Sequence, residues 1–491
     1  MSHSATSTTA KVIDSTPDTS LKWDRFFNTI NGELLSTKTT RHSINPATGN
    51  PNPEVPLSTK EDVHAAMLAA QNAFKSWADT STFQRRAAVL AFSNALEAEK
   101  EGFSRFLVQE QGKPLVFARV EIDTCLSWIK TLASFDLPDK KIDDVNKEII
   151  TRYIPLGVVV GIVPWNYPIL LACGKLASAV LTGNTIIIKP SPFTPASDLK
   201  LCELAQQFFP PGVVQCLSGD DNLGPWLTEH PIPAKISFTG SSATGKLVMA
   251  SASKTLKMVT LELGGKDPAI VCEDVDIEDV AQKVAQVAFL NSGQICLAIK
   301  RIFVHEKIYD QFRSALVAAT KALKVGEGNE PNVFLGPIQN AMQYQKVKGF
   351  FNDIEKEGLN VAVGGTNPEG PGYFITPTII DRPALESRIV QEEPFGPILP
   401  LLSFSTYAEA ITLANNSSYG LGASVWSSNI PLANDIAQQL EAGSVWVNTH
   451  FEIDPRVPFG GQKMSGMGVE LGVEGLKSFC NVKTLYLGKG K

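Results

Sequence analysis

The stretch from 158 to 239 constrains the fold more than any other. Val158-Val-Val-Gly-Ile-Val163 is an unbroken apolar run, the pattern of a strand buried on both faces. A helix over Pro168 to Leu181 follows, then a strand over Asn184-Thr-Ile-Ile-Ile-Lys-Pro190 and a helix near 197–209. Val213-Val-Gln-Cys-Leu217 and Lys235-Ile-Ser-Phe238 complete the series. Strands alternating with helices imply a parallel, doubly wound sheet, whose ligands sit outside the strand C-termini. A second series begins after Gly264-Gly265, with Pro268-Ala-Ile-Val271, a helix over 277–291, and strands expected at 374–380, 398–404 and Ser444-Val-Trp-Val-Asn448. Two α/β domains with a cleft between them are expected.

Helices precede these series. After the cap Ser58-Thr59, Val63, Met67, Ala70, Phe74 and Trp77 recur at helical spacing, and further helices are expected over 83–101 and from Gly102 onward. From 139 to 153 short polar–apolar alternation predicts an exposed ribbon, which needs a partner to be stable. Val482-Lys-Thr-Leu-Tyr-Leu487 is the expected partner, with both placed at a subunit interface. At 491 residues the chain exceeds one ordinary core. A net charge of −6 gives no electrostatic footprint for nucleic acid. Seven scattered cysteines without a Cys-x-x-Cys pair argue for a reducing compartment and against a disulfide framework or a metal site. Residues 1–20, rich in Ser and Thr, read as a disordered tail. The most apolar region is interrupted by Pro164, Asn166 and Pro168, which argues against a membrane span. The expected location is cytoplasmic.

Several segments carry candidate chemistry. In Asn291-Ser-Gly-Gln-Ile-Cys296, Gly293 permits a sharp turn, and backbone N–H groups at a turn favour thiolate. The alternative is a buried cysteine acting as a small hydrophobe. Thr260-Leu-Glu-Leu-Gly-Gly265 sets Glu262 between leucines, where burial would raise its pKa and suit it to general-base work. Its alternative is an acid on an exposed strand face. Pro164-Trp-Asn-Tyr-Pro168 ends a strand, so Asn166 can offer its amide to a developing oxyanion or simply form a turn. Phe238-Thr-Gly-Ser-Ser-Ala-Thr-Gly-Lys246 is a strand, a glycine turn and a helix start suited to a pyrophosphate. Leu247 stands where a Walker A loop needs Ser or Thr, which disfavours ATP chemistry. Lys189, Glu393 and the loop Pro458-Phe-Gly-Gly461 have bland readings when taken singly: solvated side chains and simple flexibility.

Together, Pro164-Trp-Asn, Lys189-Pro-Ser, Phe238-Thr-Gly-Ser, Leu261-Glu-Leu-Gly-Gly, Gly293-Gln-Ile-Cys, Glu392-Glu-Pro-Phe-Gly-Pro and Pro458-Phe-Gly-Gly, in this order, resemble the aldehyde dehydrogenase superfamily from about Trp23 to Asn481. The resemblance implies NAD(P)-dependent oxidation of an aldehyde to a carboxylic acid by the branch that does not use CoA. It makes Cys296 the nucleophile, Glu262 the base and Asn166 the oxyanion donor, with Lys175 and Glu470 as a proton relay. Trp165, Lys189, Ser191, Gly240, Ser241, Leu263, Glu393 and Phe395 would hold the nucleotide, Phe395 beside the nicotinamide. The implied fold is α/β, two doubly wound domains plus a small β oligomerisation arm, making homodimers or homotetramers. Residues 21–138 and 154–263 would form the dinucleotide-binding domain and 264–475 the catalytic domain. Residues 139–153 and 476–491 would be oligomerisation strands.

Pro192 stands where many NAD-preferring relatives carry glutamate, so NAD is expected with NADP a competitor. Tyr167, Ile295, Leu297 and Phe459 are expected to line an apolar tunnel, and Gly174, where relatives often carry bulk, to add room. A medium-sized apolar or aromatic aldehyde follows. Two rival readings remain: a cysteine hydrolase or acyltransferase pairing Cys296 with His450, and a structural descendant without activity.

Overall fold

A computed structural model describes residues 21–366 and 370–490; the expected tail lies outside the described residues. Lys60–Ala78 is helical, opened by a capping box between Thr59 and Asp62, and it buries Val63, Met67, Ala70 and Trp77. Thr82–Ala98 is the second helix. The helix expected from Gly102 onward is instead two, Lys100–Glu110 and Leu115–Ser134. The break falls at Gly112, with φ +94°, and Pro114, which neither helix interior could accommodate.

The first sheet has eight strands. At its centre Thr185–Lys189, Val158–Ile162, Lys235–Thr239 and Met258–Glu262 run parallel. The first three are buried throughout, Val158–Ile162 and Thr185–Lys189 around apolar runs and Lys235–Thr239 with Lys235, Ser237 and Thr239 buried as well. Their register aligns the C-terminal ends, pairing Ile162 with Lys189 and Thr239 with Glu262. The second sheet has seven strands, with Arg301–His305 central between Ile398–Phe404 and Pro268–Val271. It is parallel except for the edge strand Val361–Val363. The chain passes from Glu262 through Gly264-Gly265 directly into Pro268. The C-terminal edge of the first sheet therefore meets the N-terminal edge of the second, and the cleft lies between these edges.

Residues 264–475 are not one body. Gly466–Met467 pairs antiparallel with Leu261 and Glu262 and so joins the first sheet. Leu471, Leu476 and Phe479 pack into the same core as Trp128 and Leu176. Their apolar side chains draw this segment back across the cleft, because burial of each contributes about 1.5–3 kcal/mol. A separate three-stranded antiparallel sheet consists of Cys480–Gly488, Lys147–Pro155 and Lys140–Asp143. Val482 faces Tyr153 and Leu487 faces Glu148, the strand pairing expected from sequence. Ile142, Val482, Tyr486 and Leu487 are exposed on it. Among the described residues no helix is long and apolar enough to cross a membrane.

Candidate active site

The helix Ile277–Phe289 stops where Asn291, Ser292 and Gly293 take φ of +50°, +57° and +71°. A left-handed residue other than glycine costs about 1–3 kcal/mol, so neighbours must hold the turn. They do: Ser292 Oγ donates to Gly336 O at 2.7 Å, and Gln294 Nε2 donates to Asn291 O at 2.9 Å. Gln294 Oε1 accepts from Gln339 N at 2.8 Å. Gly293 lies so close to Gly396 O that a Cβ there would collide. Cys296, on the far side of this turn, is half-buried, whereas the other six cysteines are buried. Burial pushes its thiol up to about 12; Lys300 opposes the shift, while Glu393, Asp267 and Glu262 add to it. The sequence suggested a turn favouring thiolate. In this state burial and nearby carboxylates outweigh the turn, and the sulfur rests as a thiol.

Asn166 follows the Val158–Ile162 strand and is buried. Its Nδ2 donates to Gln294 O at 3.0 Å, which ties its amide to the cysteine loop and leaves a second N–H. Its carbonyl accepts from Lys113 Nζ at 2.9 Å and from Asn291 Nδ2 at 3.3 Å. Lys113 is ion-paired with Glu121, both fully buried, and Glu121 Oε1 also accepts from Leu170 N at 3.2 Å. Neither Lys113 nor Glu121 was singled out from sequence. The available signal was an acid on the otherwise apolar face formed by Ala118, Ile122 and Cys125.

Glu262 ends its strand 4% exposed, and neither carboxyl oxygen has a hydrogen-bond partner. Burial, with a smaller push from Glu470, raises its pKa well above the carboxylate range, and Lys175 opposes. Behind it, Lys175 Nζ pairs with Glu470 Oε1 at 2.5 Å, and Ser237 Oγ donates to the same oxygen at 2.7 Å. Burial would raise the Glu470 carboxyl, but the Lys175 charge and these hydrogen bonds outweigh it and hold it below the usual range. Two carboxyls in one site are thus driven in opposite directions, the pattern of an acid–base pair.

A cleft of about 900 Å³ joins these groups to both expected subsites. At one end it is lined by Lys189, Ser191, Pro192, Gly240, Ser241 and Leu263. Ser241 caps the helix Ser242–Ser253, its oxygen accepting from Thr244 N at 3.2 Å. A Cβ on Gly245 would lie 2.6 Å from Leu263, so glycine lets the helix approach the strand end. Burial pulls Lys189 down to about 8, with Asp221 opposing. Midway, Trp165 and Phe395 meet edge to face with ring centroids 5.3 Å apart. Glu393 Oε1 accepts from Gly265 N at 3.1 Å and pairs with Lys300 at 3.2 Å.

At the other end Tyr167, Ile295, Leu297 and Phe459 line the wall, joined by Trp128, Phe451 and Ile453. Gly174 does not line it. A Cβ on Gly174 would lie 3.3 Å from the Trp128 ring, so that ring fills the space expected to be open. His450 is buried and its Nε2 lies 2.7 Å from Leu297 O. Burial first of all pulls its pKa down to about 3, so the ring is neutral and this nitrogen donates. It does not line the cleft, which removes the base required by the hydrolase reading.

Opposed, mainly parallel sheets with a thiol and an unpartnered carboxyl in one crevice mark an α/β enzyme. The sequence model of the Aldehyde dehydrogenase family matches residues 35–485, and the chain belongs to that family. It is similar to aldehyde dehydrogenase LUC3 of Fusarium sp, 40% identical, covering 94% of this chain and 99% of that one. Phenylacetaldehyde dehydrogenase of Pseudomonas fluorescens is 36% identical, covering 91% and 92%. The NAD+ complex of aldehyde dehydrogenase from Bacillus cereus superposes with a TM-score of 0.92 at 36% identity, covering 94% of this chain and 96% of that one. The protein is an enzyme that oxidises an aldehyde to its carboxylic acid.

Proposed function

We propose that the chain oxidises medium-sized apolar or aromatic aldehydes with NAD, using Cys296 as nucleophile and Glu262 as base. One observation carries the reading: the least buried cysteine and an unpartnered buried carboxyl open on the same cleft. The Bacillus cereus relative binds NAD+, and the residues here suit the same group. Lys189 and Ser191 lie at the adenosine end, the Gly240-Ser241 helix start offers N–H groups to a pyrophosphate, and Glu393 suits the second ribose. Pro192 carries no charge, so rejection of a 2′-phosphate does not come from that position.

The chemistry runs as follows. Cys296 gives its proton to water in the open cleft, and its sulfur adds to the aldehyde carbon as the C=O π electrons move to oxygen. The carbonyl oxygen becomes an alkoxide, held by the free N–H of Asn166. When the alkoxide closes to a carbonyl, the C–H bond breaks with its electron pair. Bound nicotinamide supplies the acceptor for that hydride. Glu262 then takes a proton from water, whose oxygen adds to the thioester. The C–S bond breaks, the acid leaves and the sulfur regains a proton. Lys175 and Glu470 hold a charge behind Glu262 that can relay the proton outward. Trp128, Tyr167, Phe451 and Phe459 support an apolar or aromatic substrate. The exposed apolar residues of the three-stranded sheet support a homo-oligomer, and seven free cysteines support a reducing compartment such as the cytosol.

C296A should abolish NADH formation, and turnover persisting in it overturns the assignment. E262Q should give one burst equivalent of NADH and then stall as thioester. In a substrate panel, phenyl-substituted and medium-chain aldehydes should exceed charged semialdehydes in kcat/KM.

A further inference from the structure

Lys300 is a charged group that touches the sulfur's own backbone, and the steps above do not use it. It follows the nucleophile by four residues, yet its side chain turns back, and Nζ donates to Cys296 O at 2.5 Å. The same ammonium pairs with Glu393 at 3.2 Å, with side chains 4% and 12% exposed. Glu393 in turn accepts from Gly265 N at 3.1 Å. One cation therefore sits between the nucleophile's carbonyl and the carboxylate proposed to bind the nucleotide ribose. A ribose hydroxyl donating to that carboxylate would compete with Lys300 for its lone pairs.

We infer that Lys300 is a positioning residue that couples nucleotide binding to the reactivity of the Cys296 sulfur, with Glu393 as the carboxylate that changes partner. This rests on the reading of Cys296 as nucleophile and Glu393 as ribose ligand. Before the nucleotide arrives, Glu393 screens Lys300 and the sulfur keeps its proton. When Glu393 turns to the ribose, the Lys300 charge acts on the sulfur unopposed and the thiolate gains. The charged groups facing the sulfur are Lys300 on its own loop, Glu393 on the facing loop, Asp267 after the glycine pair and Glu262 at the strand end. Burial pushes the Glu262 and Asp267 carboxyls up, so the Lys300–Glu393 pair carries the charge balance that nucleotide binding can change. A nearby opposite charge shifts such a group by about 1–3 units. The order of events has a use: the sulfur becomes reactive only once an acceptor for the hydride is in place.

The test is the pH profile of Cys296 alkylation by iodoacetamide, read by peptide mass on the full-length enzyme with and without NAD+. Alkylation follows the thiolate, so the midpoint reports the thiol pKa. In the wild type NAD+ should lower the midpoint by about one unit or more, about tenfold in rate at neutral pH. E393Q without nucleotide should already show a lowered midpoint. In K300M nucleotide should move the midpoint less than in the wild type, with binding verified by fluorescence titration, and K300R should restore the full response. A K300M enzyme that binds NAD+ and keeps the full wild-type shift overturns the proposal. If K300M does not fold, E393Q decides, and a nucleotide-free E393Q midpoint equal to wild type overturns the proposal. Turnover surviving in C296A would instead remove the reading of Cys296 as nucleophile, whereas the K300M alkylation profile bears on Lys300 alone.

Discussion

The glycine pair after Glu262 is where three parts of the site touch, and each glycine makes a different prediction. Gly265 has no left-handed backbone, so its substitution is a question of space alone. A Cβ there would lie 2.6 Å from Cys296 O, whereas ordinary contact begins at 3.4 Å, so the cysteine loop must yield about 0.8 Å. It would also meet the Asp267 carboxylate and lie 3.1 Å from Leu421 Cβ, so no free direction remains. Overpacking of this kind costs about 1–3 kcal/mol of stability. A displacement near 1 Å at a reacting group costs up to about 100-fold in rate. G265A should therefore lower kcat by roughly 10- to 100-fold while NAD+ affinity stays near wild type. At Gly264 the new Cβ would meet only the Glu393 carboxylate, the far end of a flexible side chain. G264A should fold normally and weaken NAD+ instead. Urea unfolding, fluorescence titration with NAD+ and rapid-mixing measurement of the NADH burst separate these effects. A G265A enzyme with wild-type burst rate and wild-type unfolding midpoint would refute the steric reasoning, as would two variants with indistinguishable defects.

Other outcomes follow from the same geometry. Removing one member of the buried Lys113–Glu121 pair leaves a charge without compensation, so E121Q should lose about 3–5 kcal/mol, and the double variant K113M/E121M should recover most of it; chemical denaturation tests both. Asp198 is fully buried without a hydrogen-bond partner, and burial, with smaller contributions from Cys202 and Glu110, raises its pKa well above 3.8. The native state therefore keeps a proton that the unfolded chain releases, and stability falls as pH rises above about 4. D198N should remove this dependence, so its melting temperature should gain on wild type progressively between about pH 5 and 8; parallel curves would contradict this. W128A should open the wall of the tunnel and favour two-ring over one-ring aldehydes by about tenfold or more in relative kcat/KM. It should also lose about 3–5 kcal/mol of stability.

Much of the architecture was legible because buried parallel strands leave a strong trace. The runs at 158–163 and 184–190 show no polar alternation, the usual trace of a strand covered on both faces, whereas Lys235–Thr239 is equally buried and alternates. The ribbon at 139–153 and its partner at 482–487 were legible for the opposite reason, since alternation marks strands open to solvent. Cys296, Glu262 and Asn166 open on one cleft because strand ends and a glycine turn are local features. Groups that depend on distant packing were not legible. Trp128 fills the space beside Gly174 from a different helix, and Lys300 matters through a side chain that folds back on its own loop. The return of 466–479 to the first core is driven by three apolar residues that carry no periodic signature. The thiol's resting protonation depends first on burial by distant segments and then on Lys300, Glu393 and Asp267, the last two remote in sequence from the turn itself.

Gly174 and Trp128 occupy one volume from two helices. A hydrogen on one and an indole on the other fill the same gap that a bulky residue and a small one would fill in exchange. Bulk can thus be moved between the tunnel wall at Trp128 and the helix behind it at near-constant total volume, which reshapes the bound aldehyde's surroundings without opening a void. The two positions form a single packing unit, and variants that respect the pair should alter preference at far less expense to folding than variants that change either alone.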